Sequence, residues 1–209
     1  MKRLLTLLFI TMLVNSGQAQ ELIPVQLLNP DKTKGLPLMK ALDVRASTRE
    51  WSSQKLSLQD MSDLLWAANG INRPAEGKRT ASSAMNAQDI DIYVFMEEGI
   101  YLYDAQKHLL NPMVNGDHLS LPGRTDAPVT LVLITDISRF RSGNDSLKTG
   151  WANIDAGIVS QNISLFCSAT GLKTRPRASF PGAAKIKEVL RLKDSQYLLL
   201  NHPVGYEKK

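Results

Sequence analysis

The segment from Trp151 to Thr170 most constrains what this chain can become. Ile154, Ile158, Val159, Ile163, Leu165 and Phe166 are spread around a helical wheel, with small Ala and Gly residues between them, and Gly171 ends the run. A helix that is apolar on more than one side must be covered on more than one side. The pattern predicts a buried central helix, with one face available to a subunit interface. Cys167, the single cysteine, falls inside it between Phe166 and Ala169 and reads as a small core residue.

The other periodic segments are of both kinds. Leu38 to Val44 predicts a short helix running into Arg45. Ser57 with Asp60 three residues on is a capping pattern. It starts a helix to Ala68 whose apolar face is Leu58, Met61, Leu64, Leu65 and Ala68, ended by Gly70. Ile90–Met96 and Ile100–Tyr103 read as a hairpin turning at Glu97-Glu98-Gly99, with Tyr93, Tyr101 and Tyr103 as strand-packing residues. The nearly continuous apolar run Val129–Thr135 reads as a buried strand. A helix over Ala183–Arg191 and a strand over Gln196–Leu200 complete the core. Helices and strands do not alternate regularly, so the class is α+β. Residues 69–89 form a long polar loop, the kind that is often functional, and the polar stretch 136–150 reads as mobile.

The N-terminus has the order of a secretory signal: Lys2 and Arg3, an apolar run from Leu4 to Val14, then the small residues of Ser16-Gly17-Gln18-Ala19. Cleavage after residue 19 would leave an extended lead-in over 20–37 and one domain over 38–209, exported to the periplasm or secreted. The apolar run is short for a membrane span. No cysteine near the cleavage point offers a lipid anchor, so no stable membrane insertion is expected after cleavage. The formal charge is +5, of which Lys2 and Arg3 supply two. No basic cluster suggests nucleic acid; the arginines stand singly in loops, which suits small anions. No Cys/His group has metal-ligand spacing, and His108, His118 and His202 are isolated. No G-x-S-x-G elbow or matching His supports a hydrolase.

Arg45-Ala46-Ser47-Thr48-Arg49 offers two planar guanidiniums and a hydroxyl, a donor set suited to phosphate. It resembles the N-terminal signature of the nitroreductase family of FMN enzymes. Leu65-Trp66-Ala67-Ala68-Asn69-Gly70-Ile71-Asn72-Arg73 resembles the helix-to-loop segment of the SagB/ThcOx-type dehydrogenase subgroup. Arg79 to Asn86 resembles the family's Pro-Ser-x-x-Asn loop, with Ser82 in place of Pro and with Ser83 and Asn86 kept. Asp155-Ala156-Gly157 with Gln161-Asn162 matches the family's central helix, and Pro203-Val204-Gly205-Tyr206 its Gly-Tyr segment after the last strand.

The resemblance implies a nitroreductase-like fold: a mixed central sheet flanked by helices, the domain completed by a homodimer. It implies FMN at the dimer interface, held by Arg45, Ser47 and Arg49, by Ser83, Ala84 and Asn86, by Pro181 and Gly182 crossing the flavin, and by Lys208 at the phosphate. It implies two-electron or hydride transfer at flavin N5 on a small molecule, with the redox chemistry supplied by the cofactor. The alternative is an exported flavin-binding protein without efficient turnover. Arg73 and Arg79 are further candidates for an anionic substrate or a second flavin contact. No side chain is assigned as acid or base. For an exported protein, an electron donor other than NAD(P)H is expected.

Overall fold

A computed structural model describes residues 21–208; the expected signal segment, 1–19, lies outside them. The centre is a seven-stranded sheet in the order β1-β6-β5-β4-β7-β9-β8. The strands are β1 (Val25–Gln26), β4 (Ile90–Met96), β5 (Gly99–Asp104), β6 (Leu109–Asn115), β7 (Val129–Asp136), β8 (Leu172–Thr174) and β9 (Gln196–Tyr206). A separate small pair, β2 (Ile71–Arg73) and β3 (Lys78–Arg79), sits in the long polar loop. The ladders are antiparallel, and an isolated parallel bridge joins Ser47 to Thr174 at the β8 edge. The helices are α1 (Leu38–Val44), α2 (Leu58–Asn69), α3 (Asp145–Thr170) and α4 (Ala183–Leu190).

Successive strand residues face opposite sides of a sheet, and both faces are covered here. Ile90, Ile92 and Val94 of β4 and Val129, Leu131 and Leu133 of β7 pack with α2 and α3. The intervening Tyr93, Phe95, Val132 and Ile134 pack with Ile186 and Leu190 of α4. Coverage on both sides is why the β7 run is apolar almost without interruption. The hairpin tyrosines divide accordingly: Tyr101 and Tyr103 face the α2–α3 side and Tyr93 the α4 side, all buried. They are packing residues.

Three segments depart from expectation. Helix α3 starts at Asp145, because the Asn144 side chain accepts the Leu147 amide at 3.0 Å and caps it. The polar residues 145–150, expected to be mobile, are therefore its exposed first turns. Strand β9 runs on to Tyr206, so Pro203-Val204-Gly205-Tyr206 lies within the last strand rather than after it. Pro203 turns its carbonyl toward β8, where the Thr174 hydroxyl donates to it at 2.9 Å. Its missing N–H faces the same side, beyond the point where β8 stops pairing at Val204. Strand β6 has no counterpart in the sequence pattern. Pro112 breaks its alternation, and the structure places Pro112 opposite Tyr101 at a register shift, where a proline is tolerated.

Candidate functional site

The arginine segment is an arm laid along the β8 edge. Helix α1 stops at Arg45, whose backbone is extended. The chain then bridges Ser47 to Thr174, and the Thr48 amide donates to the Thr174 carbonyl at 3.2 Å. The Trp51 indole donates to the Lys173 carbonyl at 3.0 Å, and the Ser52 amide to the Tyr206 carbonyl at 3.0 Å. Trp51 is buried and anchors the arm, while Arg45, Ser47 and Arg49 stay exposed. Neither guanidinium bonds to a carboxylate or any other side chain among the described residues. Two free, forked cations beside a hydroxyl fit a phosphate group.

The second element is the turn over 83–88. The Ser83 hydroxyl accepts the Gln88 amide at 2.9 Å. Met85, Asn86 and Gln88 all have left-handed backbones, with φ of 54°, 52° and 50°. Asn adopts this conformation readily; Met and Gln do not. The turn is held from several sides. The Ala84 amide donates to both oxygens of Asp155 on α3, at 3.1 and 2.9 Å. The Gln88 side chain donates to the Gly77 carbonyl and accepts from Arg79 Nε, each at 2.9 Å. Burial pushes the Arg79 guanidinium below its ordinary range. Its bond to Gln88 makes it a brace of the turn. Arg73 stays exposed and bonds the Arg79 carbonyl at 3.3 Å.

Asp155 is buried, and so is Asp89, whose Oδ2 accepts from the Thr135 hydroxyl at 2.6 Å while its Oδ1 has no partner. Burial first, and then the neighbouring Asp89 carboxyl, push Asp155 up to about 7, against the pull of the Ala84 amide. Sequence reasoning missed this pair, because nothing local relates Asp89 to Asp155.

The arm and the turn are not together in one chain. Helix α1 meets α3 near Ser168, whose hydroxyl donates to the Ala41 carbonyl at 3.0 Å, whereas the turn meets α3 at Asp155. Thirteen residues of helix at about 1.5 Å each separate these contacts by roughly 20 Å. Pro181 and Gly182 lead into α4 on the opposite face of the sheet, where the Gly182 amide donates to the Leu121 carbonyl at 3.1 Å. Lys208 is exposed and lines an open groove of about 770 Å³ with Trp51, Gln54, Asp126 and Tyr206. Two arginines that the sequence did not single out follow β8. Arg177 Nε donates to Asn201 Oδ1 at 2.7 Å, and Arg175 Nε is buried without a partner. Burial, and then the adjacent Arg175, lower the Arg177 guanidinium from its ordinary range.

Comparison with known proteins decides the family. Residues 42–206 match the model of the nitroreductase family. The chain belongs to the nitroreductase family. A crystal structure of a nitroreductase-type protein from Ralstonia eutropha superposes with a TM-score of 0.83 at 33% identity, covering 89% of this chain and 90% of that one. A Methanocaldococcus jannaschii protein assigned to the nitroreductases is 29% identical over 184 residues, 81% of this chain and 91% of its own. A chain of the Escherichia coli microcin synthetase McbBCD complex shares the fold, with a TM-score of 0.67 at 16% identity over 88% of this chain and 79% of that one. Membership of the family supports flavin-dependent oxidoreductase chemistry.

Proposed function

We propose that this nitroreductase binds FMN between two copies of itself and transfers electron pairs to or from a small molecule, as an exported enzyme cleaved after residue 19. The observation that carries the proposal is the unpartnered face of α3. Leu147 and Ile154 are 53% and 63% exposed. Gly150 and Gly157 lie between and beyond them, and a Cβ added at either would meet no atom within 4 Å. These residues recur at helical spacing, so they form one stripe. The arm lies toward the C-terminal end of α3 and the turn beside its middle. A second chain seated on this stripe would cover it and supply the other half of a site that the arm and the turn, roughly 20 Å apart in one chain, do not form alone.

Within such a site each residue has a definite task. Arg45 and Arg49 neutralise the phosphate, and Ser47 donates a neutral hydrogen bond. The turn at Ala84–Asn86 presents backbone and amide groups to the flavin. The flavin, when bound, supplies the hydride chemistry at its N5; the protein orients it and excludes water. Pro181, Gly182 and Lys208 remain proposed contacts, the first two on the isoalloxazine side and the last at the phosphate. The likeness of residues 65–73 to the SagB/ThcOx-type dehydrogenases favours a dehydrogenase role, and export favours a donor other than NAD(P)H. Purified protein is expected to be yellow and dimeric. Arg45→Ala with Arg49→Ala should release the flavin while leaving the dimer intact, read by absorbance and sedimentation. Full retention of flavin in that double variant would refute the site.

A further inference from the structure

Every polar group of Gln88 is engaged. Its backbone N–H donates to the Ser83 hydroxyl at 2.9 Å, and its backbone carbonyl accepts from Arg139 at 2.8 Å. The same guanidinium forks onto both oxygens of Asp91 on β4, at 2.9 and 2.5 Å. Together these contacts hold Gln88 in a left-handed backbone, with φ of 50°, a region that side chains other than Asn, Asp and His seldom enter. The side chain is gripped as well. Arg79 Nε donates to its Oε1 at 2.9 Å, and its Nε2 donates to the Gly77 carbonyl at 2.9 Å. The polarity of both partners is unambiguous: a guanidinium only donates, and a backbone carbonyl only accepts. They fix which end of the Gln88 amide is the oxygen, a choice that is otherwise open for Asn and Gln.

The NH2 of Gln88 also faces Asn86, 3.4 Å from its Oδ1. Were the Asn86 amide turned over, two NH2 groups would face each other with no acceptor between them. The Asn86 carbonyl therefore points inward and its NH2 outward. That NH2 donates to nothing among the described residues, and Asn86 is exposed. We infer that Gln88 is a positioning residue for the flavin: it relays the polarity of Arg79 to Asn86, so that the turn offers its ligand a donor and takes an acceptor atom there. The inference rests on the proposed role of this turn in flavin binding and adds the sign of one contact. The ring carbonyls of a flavin are such acceptors; its ring N–H is not. A carboxylate at position 88 would reverse the relay. Both of its oxygens accept, so the Asn86 amide would turn its NH2 inward and leave its carbonyl facing the ligand.

The test is a double-mutant cycle on FMN affinity, read by quenching of flavin fluorescence, with Gln88→Glu, Asn86→Ala and the two combined. Asn86→Ala should weaken FMN binding by about threefold to tenfold, through loss of one hydrogen bond. Gln88→Glu should weaken it by about tenfold, because it sets an acceptor against an acceptor. In the Asn86→Ala background, Gln88→Glu should cost no more than about twofold. A carboxylate acting through its charge, or through a general loosening of the turn, would cost the same in both backgrounds. That result, or full affinity in Asn86→Ala, would overturn the inference. Flavin-free protein gives an independent reading by NMR. The side-chain NH2 protons of Gln88 should exchange slowly with water and those of Asn86 freely, and in Gln88→Glu the Asn86 protons should become protected. The reverse order in wild type would overturn the inference too. Wild-type protein that shows the expected exchange but binds no FMN would overturn the flavin reading of the turn and leave the orientation of Asn86 standing.

Discussion

In the proposed dimer, Ile154→Asp should separate the two copies without harming the fold of either. Ile154 is 63% exposed in the single chain, so its replacement removes little internal packing. Fully burying such a side chain is worth about 1.5–3 kcal/mol. Covering the exposed part therefore contributes about 1–2 kcal/mol per chain, or about 2–4 kcal/mol for the symmetric pair. Each 1.4 kcal/mol is tenfold in a dissociation constant. Truncation alone would weaken the dimer by about thirty-fold to a thousand-fold, and the buried charges add a further penalty. Sedimentation at micromolar protein should show a monomer, with a far-ultraviolet spectrum and melting profile like those of wild-type monomer. The same variant should lose FMN, because the arm and the turn lie roughly 20 Å apart along one helix. A dimer of unchanged affinity would refute the assignment of this face. A stable monomer that kept its flavin would refute the two-chain site.

Other consequences are simpler to check. Ser57→Ala removes the group that accepts the Asp60 amide at 3.0 Å and should cost about 1 kcal/mol, lowering Tm by about 2–4 °C in a calorimeter. Gly182→Ala would set a Cβ 2.7 Å from the Leu121 carbonyl oxygen; denaturant titration should show a loss of about 1–3 kcal/mol. The raised Asp155 carboxyl has a signed effect on stability. Below about pH 4 it is protonated in both folded and unfolded chains. As pH rises towards about 7 the unfolded chain releases the proton and the folded one keeps it, so stability falls, and above that it levels off. Urea midpoints of wild type minus those of Asp155→Asn should show this decline, and a difference that rises with pH would contradict it.

The sequence was most legible where one physical pattern dominated. The β7 run predicted a strand covered on both faces, and two clusters of side chains cover it. The Ser57–Asp60 pair predicted a helix start, and Ser57 caps that helix. Strand β6 and the end of β9 were not read from the sequence. Each carries a proline inside the strand, Pro112 at a register shift and Pro203 where the neighbouring strand ends. The arginine arm was readable as chemistry but not as geometry. Its docking depends on Thr174 and Tyr206, residues whose pairing no local pattern encodes. The carboxyl pair was invisible for the same reason: each aspartate looks ordinary until the fold buries both.

The strap from Ser47 to Ser52 has a consequence for how the molecule is made. Its partners are Thr174, Lys173 and Tyr206, and Tyr206 ends β9, which lies between β7 and β8 in the sheet. A growing chain makes Arg45 and Arg49 long before Thr174 and Tyr206, against which their strap is registered. Helix α2 waits as well, since its first turn is tied to the Tyr206 hydroxyl through the Ser57 amide at 3.1 Å and through Asp60 at 2.5 Å. Early and late segments thus close together in one late step. A chain truncated before β9 would have helices and a hairpin but no seat for the arm. The seat for the arm exists only once the chain has been made as far as Tyr206.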